Sequence, residues 1–195
     1  MTLARQNGAA ALTVGADRTA DDAQMVRLFA RDGEAIVMDD PYGDGWLGRP
    51  CLPIPWQPTP QWTTAHRDQA APVAWYASTL VQCPVLTLVT ETYAPPRATA
   101  SVVLECATGD GWQTWEGWTA KGGDDGGWTT HTLTRPMHGV AYLTHATWRL
   151  RHHVRDGVGS ITTHVIGAYQ RHTNSADEVP DTATAASDEN GEEAK

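Results

Sequence analysis

From Tyr142 onward the chain alternates without a break. Tyr142, Thr144, Ala146, Trp148, Leu150, His152 and Val154 fall on one face, and Leu143, His145, Thr147, Arg149, Arg151, His153 and Arg155 on the other. A two-residue period is that of a strand. The run stops at Asp156-Gly157, a dipeptide that supplies the positive φ angles of a tight type I′ turn. The pattern therefore predicts one long β-hairpin over residues 142–169. With Arg155 facing Val158, Trp148 falls opposite Val165, Leu150 opposite Thr163, His152 opposite Ile161 and Arg149 opposite His164, so an apolar and a basic face stay apart. A one-residue slip would turn every side chain of the returning arm to the wrong face.

Upstream, Val73–Val81, Val85–Tyr93, Thr99–Cys106, Trp112–Ala120 and Trp128–Thr134 read as further strands, rich in Val, Thr, Trp and Leu. Turn clusters separate them at Cys83-Pro84, Pro95-Pro96, Gly109-Asp110-Gly111 and Lys121–Gly127. Seven strands in so short a span, with no strand-helix-strand alternation, predict an all-β, antiparallel, jelly-roll-like β-sandwich over residues 72–172.

The first 71 residues read differently. Residues 1–16 are small and polar, which predicts a flexible or partner-ordered arm. Thr19 and Asp22 resemble a capping box, and Ala23, Val26, Phe29 and Ala30 recur at helical spacing, which predicts a short helix. A brief strand is expected at Ala35–Met38, then a solvated loop through Asp39, Asp40 and Asp44. Between Pro50 and Trp62, alternating prolines preclude helix and central strand and leave an extended strap. Leu52, Ile54 and Trp56 would tuck this strap onto the protein's own sheet or, in an assembly, onto a neighbouring subunit. Residues 173–195 are acidic with almost no apolar anchor, which predicts a disordered tail.

Charge changes the picture less than its total implies. Of the net −9, residues 177–195 carry −6, so the rest holds only −3. That excludes a basic DNA-binding domain and leaves no expectation of nucleic acid. There is no basic-then-apolar leader pattern and no apolar run near the ~20 residues needed to span a bilayer, so no membrane partner is expected. Cys51, Cys83 and Cys106 are odd in number and lack C-x-x-C spacing, which predicts free thiols. Nine tryptophans against one phenylalanine, with Arg far outnumbering Lys, fit a GC-rich genome of the actinobacterial kind.

Four constellations could carry chemistry. Trp112, Trp115, Trp118 and Trp128 lie on two strands; alternation puts Trp112 and Trp118 on one face and Trp115 on the other. Trp115, Trp128 and Gln113 are the candidates for stacking and hydrogen-bonding a sugar, while a core role for the indoles is the competing reading. His145, Arg149, Arg151, His153, Arg155 and His164 would form a basic stripe suited to carboxylates, phosphates or the acidic tail of a neighbouring copy, or simply a solvated outer face. Asp124 and Asp125 could hold calcium or belong to a plain loop. Glu91, Glu105 and Glu116 are the acids from which a glycosidase pair would be drawn, but nothing in the spacing fixes their separation. His152 and His153, being adjacent on a strand, point to opposite faces and cannot share a metal. No catalytic, metal or cofactor residue is assigned.

The succession V-V-L-E-C-A-T-G-D-G-W-Q-T-W-E-G-W, W-T-T-H-T-L-T-R-P, Y-L-T-H-A-T-W-R-L-R-H-H-V and I-T-T-H-V-I-G-A-Y resembles the jelly-roll modules of tailed-phage structural proteins and galactose-binding-like domains. It spans residues 98–170. In composition the chain is also similar to small actinobacteriophage virion proteins, capsid decoration and minor tail proteins among them. The resemblance implies a non-enzymatic virion component made in the host cytoplasm, homo-oligomeric, with major capsid or tail proteins as partners. The alternatives are a carbohydrate-binding module or phage adhesin and, third, a carbohydrate-active enzyme.

Overall fold

The computed structural model describes residues 1–16, 24–31, 33, 35–40, 51–59, 64–66, 71–107 and 111–180. Its strands are β1 (Thr2–Ala4), β2 (Ala10–Ala16), β3 (Gln24–Phe29), β4 (Ala35–Met38), β5 (Leu52–Pro53), β6 (Gln57–Pro58) and β7 (Thr64–His66), followed by β8 (Val73–Leu80). After these come β9 (Val85–Ala94), β10 (Thr99–Ala107), β11 (Trp112–Lys121), β12 (Gly127–Pro136), β13 (His145–Asp156) and β14 (Ser160–Arg171). One 3-10 turn, Ala176–Glu178, is the only helical element among the described residues.

The body is an antiparallel β-sandwich. One sheet has the order β11-β10-β13-β8-β6 and the other β12-β9-β14-β5, with β7 also on β14. From β8 onward the chain changes sheet at every connection except the β10–β11 hairpin. Most pairings are thus between strands distant in sequence, and the long hairpin does not form. β13 pairs with β10 and β8, β14 with β9, β5 and β7. Asp156-Gly157 turns a corner between sheets instead, with Gly157 at φ +88° and Gly159 at φ +102°. The alternation was sound even so: Trp148, Leu150 and His152 are all buried, facing β14 across the core rather than beside it. Side-chain period tells which face is buried, whereas an Asp-Gly turn satisfies a corner and a hairpin equally.

Each inner face carries a polar residue between two apolar stretches. On β13, His152 lies between Leu150 and Val154; on β9, Thr90 and Thr92 lie between Leu88 and Ala94; on β14, Thr163 separates Val165 from Ile161. The core is accordingly divided into a large cluster around Trp148, Leu88 and Leu104 and a small one around Ala94, Val154 and Ile161. Across the divide, His152 Nδ1 and Thr163 Oγ1 lie 2.9 Å apart, Thr163 Oγ1 and Thr92 Oγ1 3.3 Å, and Trp75 Nε1 donates to the Thr163 carbonyl at 2.6 Å. Such bonds offset the cost of burying polar groups.

The two open sides of the sandwich close differently. On one, the Pro-rich strap runs from β5 on β14 to β6 on β8 and back to β7 on β14. Ile54 is buried in the main core and Trp56 packs against it, so these two, expected as possible interface residues with Leu52, anchor the strap to its own sandwich; Leu52 is half-buried in β5. On the other side, between β11 and β12, side chains form the clasp. Trp118 stacks on His131 with centroids 4.4 Å apart, and Arg135 reaches both Glu116, at 3.5 Å, and the Trp115 carbonyl.

The first 40 residues hold neither a flexible arm nor, among those described, a helix. They form a four-stranded antiparallel sheet, β1-β2-β3-β4. Val26 and Phe29, read at helical spacing, belong to β3, whose hydrogen-bonded neighbours on both sides override local propensity. Asp40, expected in a solvated loop, is buried and accepts hydrogen bonds from the Thr173 backbone N–H at 2.9 Å and hydroxyl at 2.6 Å. Thr173 and the turn after it are therefore ordered, with Arg171 holding Glu178 at 2.6 Å. The rest of the expected tail, 181–195, lies outside the described residues, as do the helix cap at Thr19 and Asp22 and the loop through Asp44.

Candidate functional site

Among the described residues, three surfaces carry side chains that intramolecular packing does not use up. The first is the outer face of β12, β9 and β14. Alternation along β12 turns Trp128, Thr130, Thr132 and Thr134 outward, and all four are exposed, while Leu133 points into the core. Register sets Trp128 beside Tyr93, and Thr130 beside Glu91, which in turn lies beside His164. Trp128 stacks on His164 at 5.3 Å and 25°, and meets Tyr93 at 5.5 Å and 52°. The indole is held on two sides, yet 53 % of the residue stays exposed.

The second is the outer face of β11, β10, β13 and β8. Arg149, Arg151 and His153 line up there as alternation predicted, half-exposed, with Arg155 exposed at the strand end. Their charge is partly spoken for. Glu105 bonds Arg149 Nε at 2.5 Å and lies 3.7 Å from Arg151, which also donates to the Ala71 carbonyl. The Arg149 guanidinium sits 3.9 Å from the Trp112 ring centroid. His164 does not belong to the stripe, because it lies on the opposite sheet.

The expected sugar site of Trp115, Trp128 and Gln113 does not assemble. Leu104 pairs with Glu116 but Glu105 with Thr114, so Trp115 is the extra residue of a β-bulge. The bulge inverts the alternation that put Trp115 opposite to Trp118. Trp115 enters the core edge-on to Trp148 at 6.3 Å, Trp118 also faces inward, and Trp112 faces out. Gln113 is exposed on β11, an edge of the other sheet from Trp128. Glu91, Glu105 and Glu116 also lie apart, on the outer face of one sheet, the outer face of the other and the clasp.

The third surface was not foreseen. Leu3, Leu12, Leu28 and Val37 form one continuous rung across all four strands of the N-terminal sheet. Leu3 is 54 % exposed, Leu28 41 % and Val37 40 %, and Met1 and Val26 extend the patch one rung further. The clue in the sequence was the apolar run M-V-R-L-F, in which Val26 and Leu28 share one face of a strand while Val26 and Phe29 also recur at helical spacing.

Burial pushes the Cys83 and Cys106 thiols up to about 12, and it lowers the His131 imidazole against an opposing pull from Glu116. Asp124 is exposed and pairs with Arg97 at 3.5 Å. Among the described residues no cluster of His, Cys, Asp and Glu could hold a metal ion, and no helix is long and apolar enough to cross a membrane.

No family model matches the chain, and no curated protein matches it in sequence. Among solved structures, Eiger TNF from S. frugiperda aligns with 14 % identity and a TM-score of 0.34, covering 65 % of this chain and 98 % of that one.

Proposed function

We propose that this chain is a non-enzymatic structural protein of a virion, a capsid decoration or minor tail component, that associates with further copies of itself through its N-terminal sheet. The observation that carries the reading is the Leu3–Leu12–Leu28–Val37 rung. A continuous aliphatic stripe across four strands, left facing water, is a surface shaped by contact with another protein. It is self-complementary, since a two-fold axis running along the rung, between the two facing sheets, lays Leu on Leu and Val on Val. Repetition in a shell would add many such modest contacts.

Light scattering coupled to size-exclusion chromatography at two concentrations tests this. The wild-type chain is expected to elute as a dimer or larger ring, and Leu3→Thr/Leu28→Thr as a monomer with an unchanged circular dichroism spectrum. Threonine keeps the strand preference and removes the apolar contact. A strict monomer at both concentrations would overturn self-association through this face.

A further inference from the structure

We propose that the outer face around Trp128 is a carbohydrate-binding site for a neutral pyranose, with Trp128 as the stacking platform and Glu91 and Thr130 as hydroxyl partners. The site stands independently of the assembly reading and lies on a different sheet.

The chemistry of this face differs from that of the N-terminal sheet. There, aliphatic side chains adjoin one another, as a protein partner requires. Here a single exposed indole is bordered by threonine hydroxyls and one carboxylate. A pyranose has the matching character: a face of CH groups that packs on an aromatic ring, and a rim of hydroxyls that needs donors and acceptors. Residues two apart on a strand lie about 6.8 Å apart and neighbouring strands about 4.8 Å. A ring laid on Trp128 therefore reaches Thr130 along β12 and Glu91 one strand over, which sit side by side in register. Glu91 is half-buried, and its two oxygens can each accept a hydroxyl proton.

The platform is also preorganised. His164 stacks against the indole and Tyr93 abuts it, so little side-chain freedom remains to be lost on binding. Trp112, another exposed indole among the described residues, is 41 % exposed against 53 % for Trp128, and a sugar stacking on it would have to displace the charged Arg149 guanidinium from its ring, whereas Trp128 is flanked by His164 and Tyr93. The two tryptophans thus provide a test within one molecule.

Methyl pyranosides of glucose, galactose and N-acetylglucosamine should be titrated to about 50 mM into the labelled full chain, following indole N–H resonances and saturation transfer to the sugar CH protons. At least one is expected to shift the Trp128 resonance with a dissociation constant on the order of 1 mM, as befits one stacked ring. Trp128→Ala should weaken that binding about tenfold or more, Glu91→Gln several-fold, and Trp112→Ala not at all. The replaced side chains are exposed or half-buried, so each variant should keep the wild-type dichroism spectrum. Absence of binding by all the pyranosides, or binding that survives Trp128→Ala, would overturn the proposal.

Discussion

Gly157 is where a hairpin and a corner make different demands. In a two-residue turn the position asks only for positive φ, which costs an alanine about 1–2 kcal/mol. In the corner between β13 and β14, φ is +88°, and a Cβ would also lie 2.6 Å from Ala98 Cα and 2.8 Å from Ala98 Cβ. Backbone cannot swing aside as a side-chain tip can, so overpacking adds about 1–3 kcal/mol. Gly157→Ala should therefore lose about 2–5 kcal/mol. Gly123 supplies the reference, with φ +61° and nothing within 4 Å of its Cβ, so Gly123→Ala should lose only the conformational share, about 1–2 kcal/mol. Urea unfolding of both variants, followed by fluorescence from the buried Trp148 and Trp115, measures the difference. A gap of about 2 kcal/mol is expected. Equal losses within about 0.5 kcal/mol would mean that the corner does not pack on Ala98, and the argument for crossed sheets at this point would fail.

Thiol labelling of the native chain should modify Cys51 alone, since it is exposed while burial keeps Cys83 and Cys106 protonated; rapid native labelling of either would contradict the core. Stability should also fall in acid, in two steps. Burial lowers the His131 pKa in the folded state, so its contribution is whole above the unfolded value of 6.5 and is lost as pH falls through the lowered folded value. Glu178, lowered chiefly by its bond to Arg171, adds a loss as pH falls from its unfolded value of 4.5 through its folded one. Urea midpoints should show the first step disappear in His131→Gln and the second in Glu178→Gln; a midpoint flat from about pH 8 to about pH 4 would refute the His131 assignment, and one flat from about pH 5 to about pH 2 the Glu178 assignment.

Of the candidate sites, the sequence exposed residue types and faces but not neighbours. Trp128 was legible as a candidate, because a tryptophan among threonines at alternating positions faces outward. Its companions Tyr93, Glu91 and His164 were not, since they arrive from β9 and β14 through pairings 35 to 73 residues distant. Trp115 was misplaced by a single bulge residue, which inverts every later position on a strand and leaves no mark in composition. The four-stranded N-terminal sheet was missed because each of its short strands is ambiguous alone and is decided only by the strand beside it.

What the sequence determined by itself was therefore local: the all-β class, the approximate strand positions from Val73 to Arg171, and the buried side of β13, with the fully buried Trp148, Leu150 and His152. These follow from a two-residue period that every strand carries within itself. Tertiary structure alone decided which strands pair, that Asp156-Gly157 joins two sheets rather than two arms, that the proline strap seals one side, and that Asp40 meets Thr173 across the chain. Those choices rest on the packing of two inner faces against each other, an energy shared among residues far apart in sequence and written in no one of them.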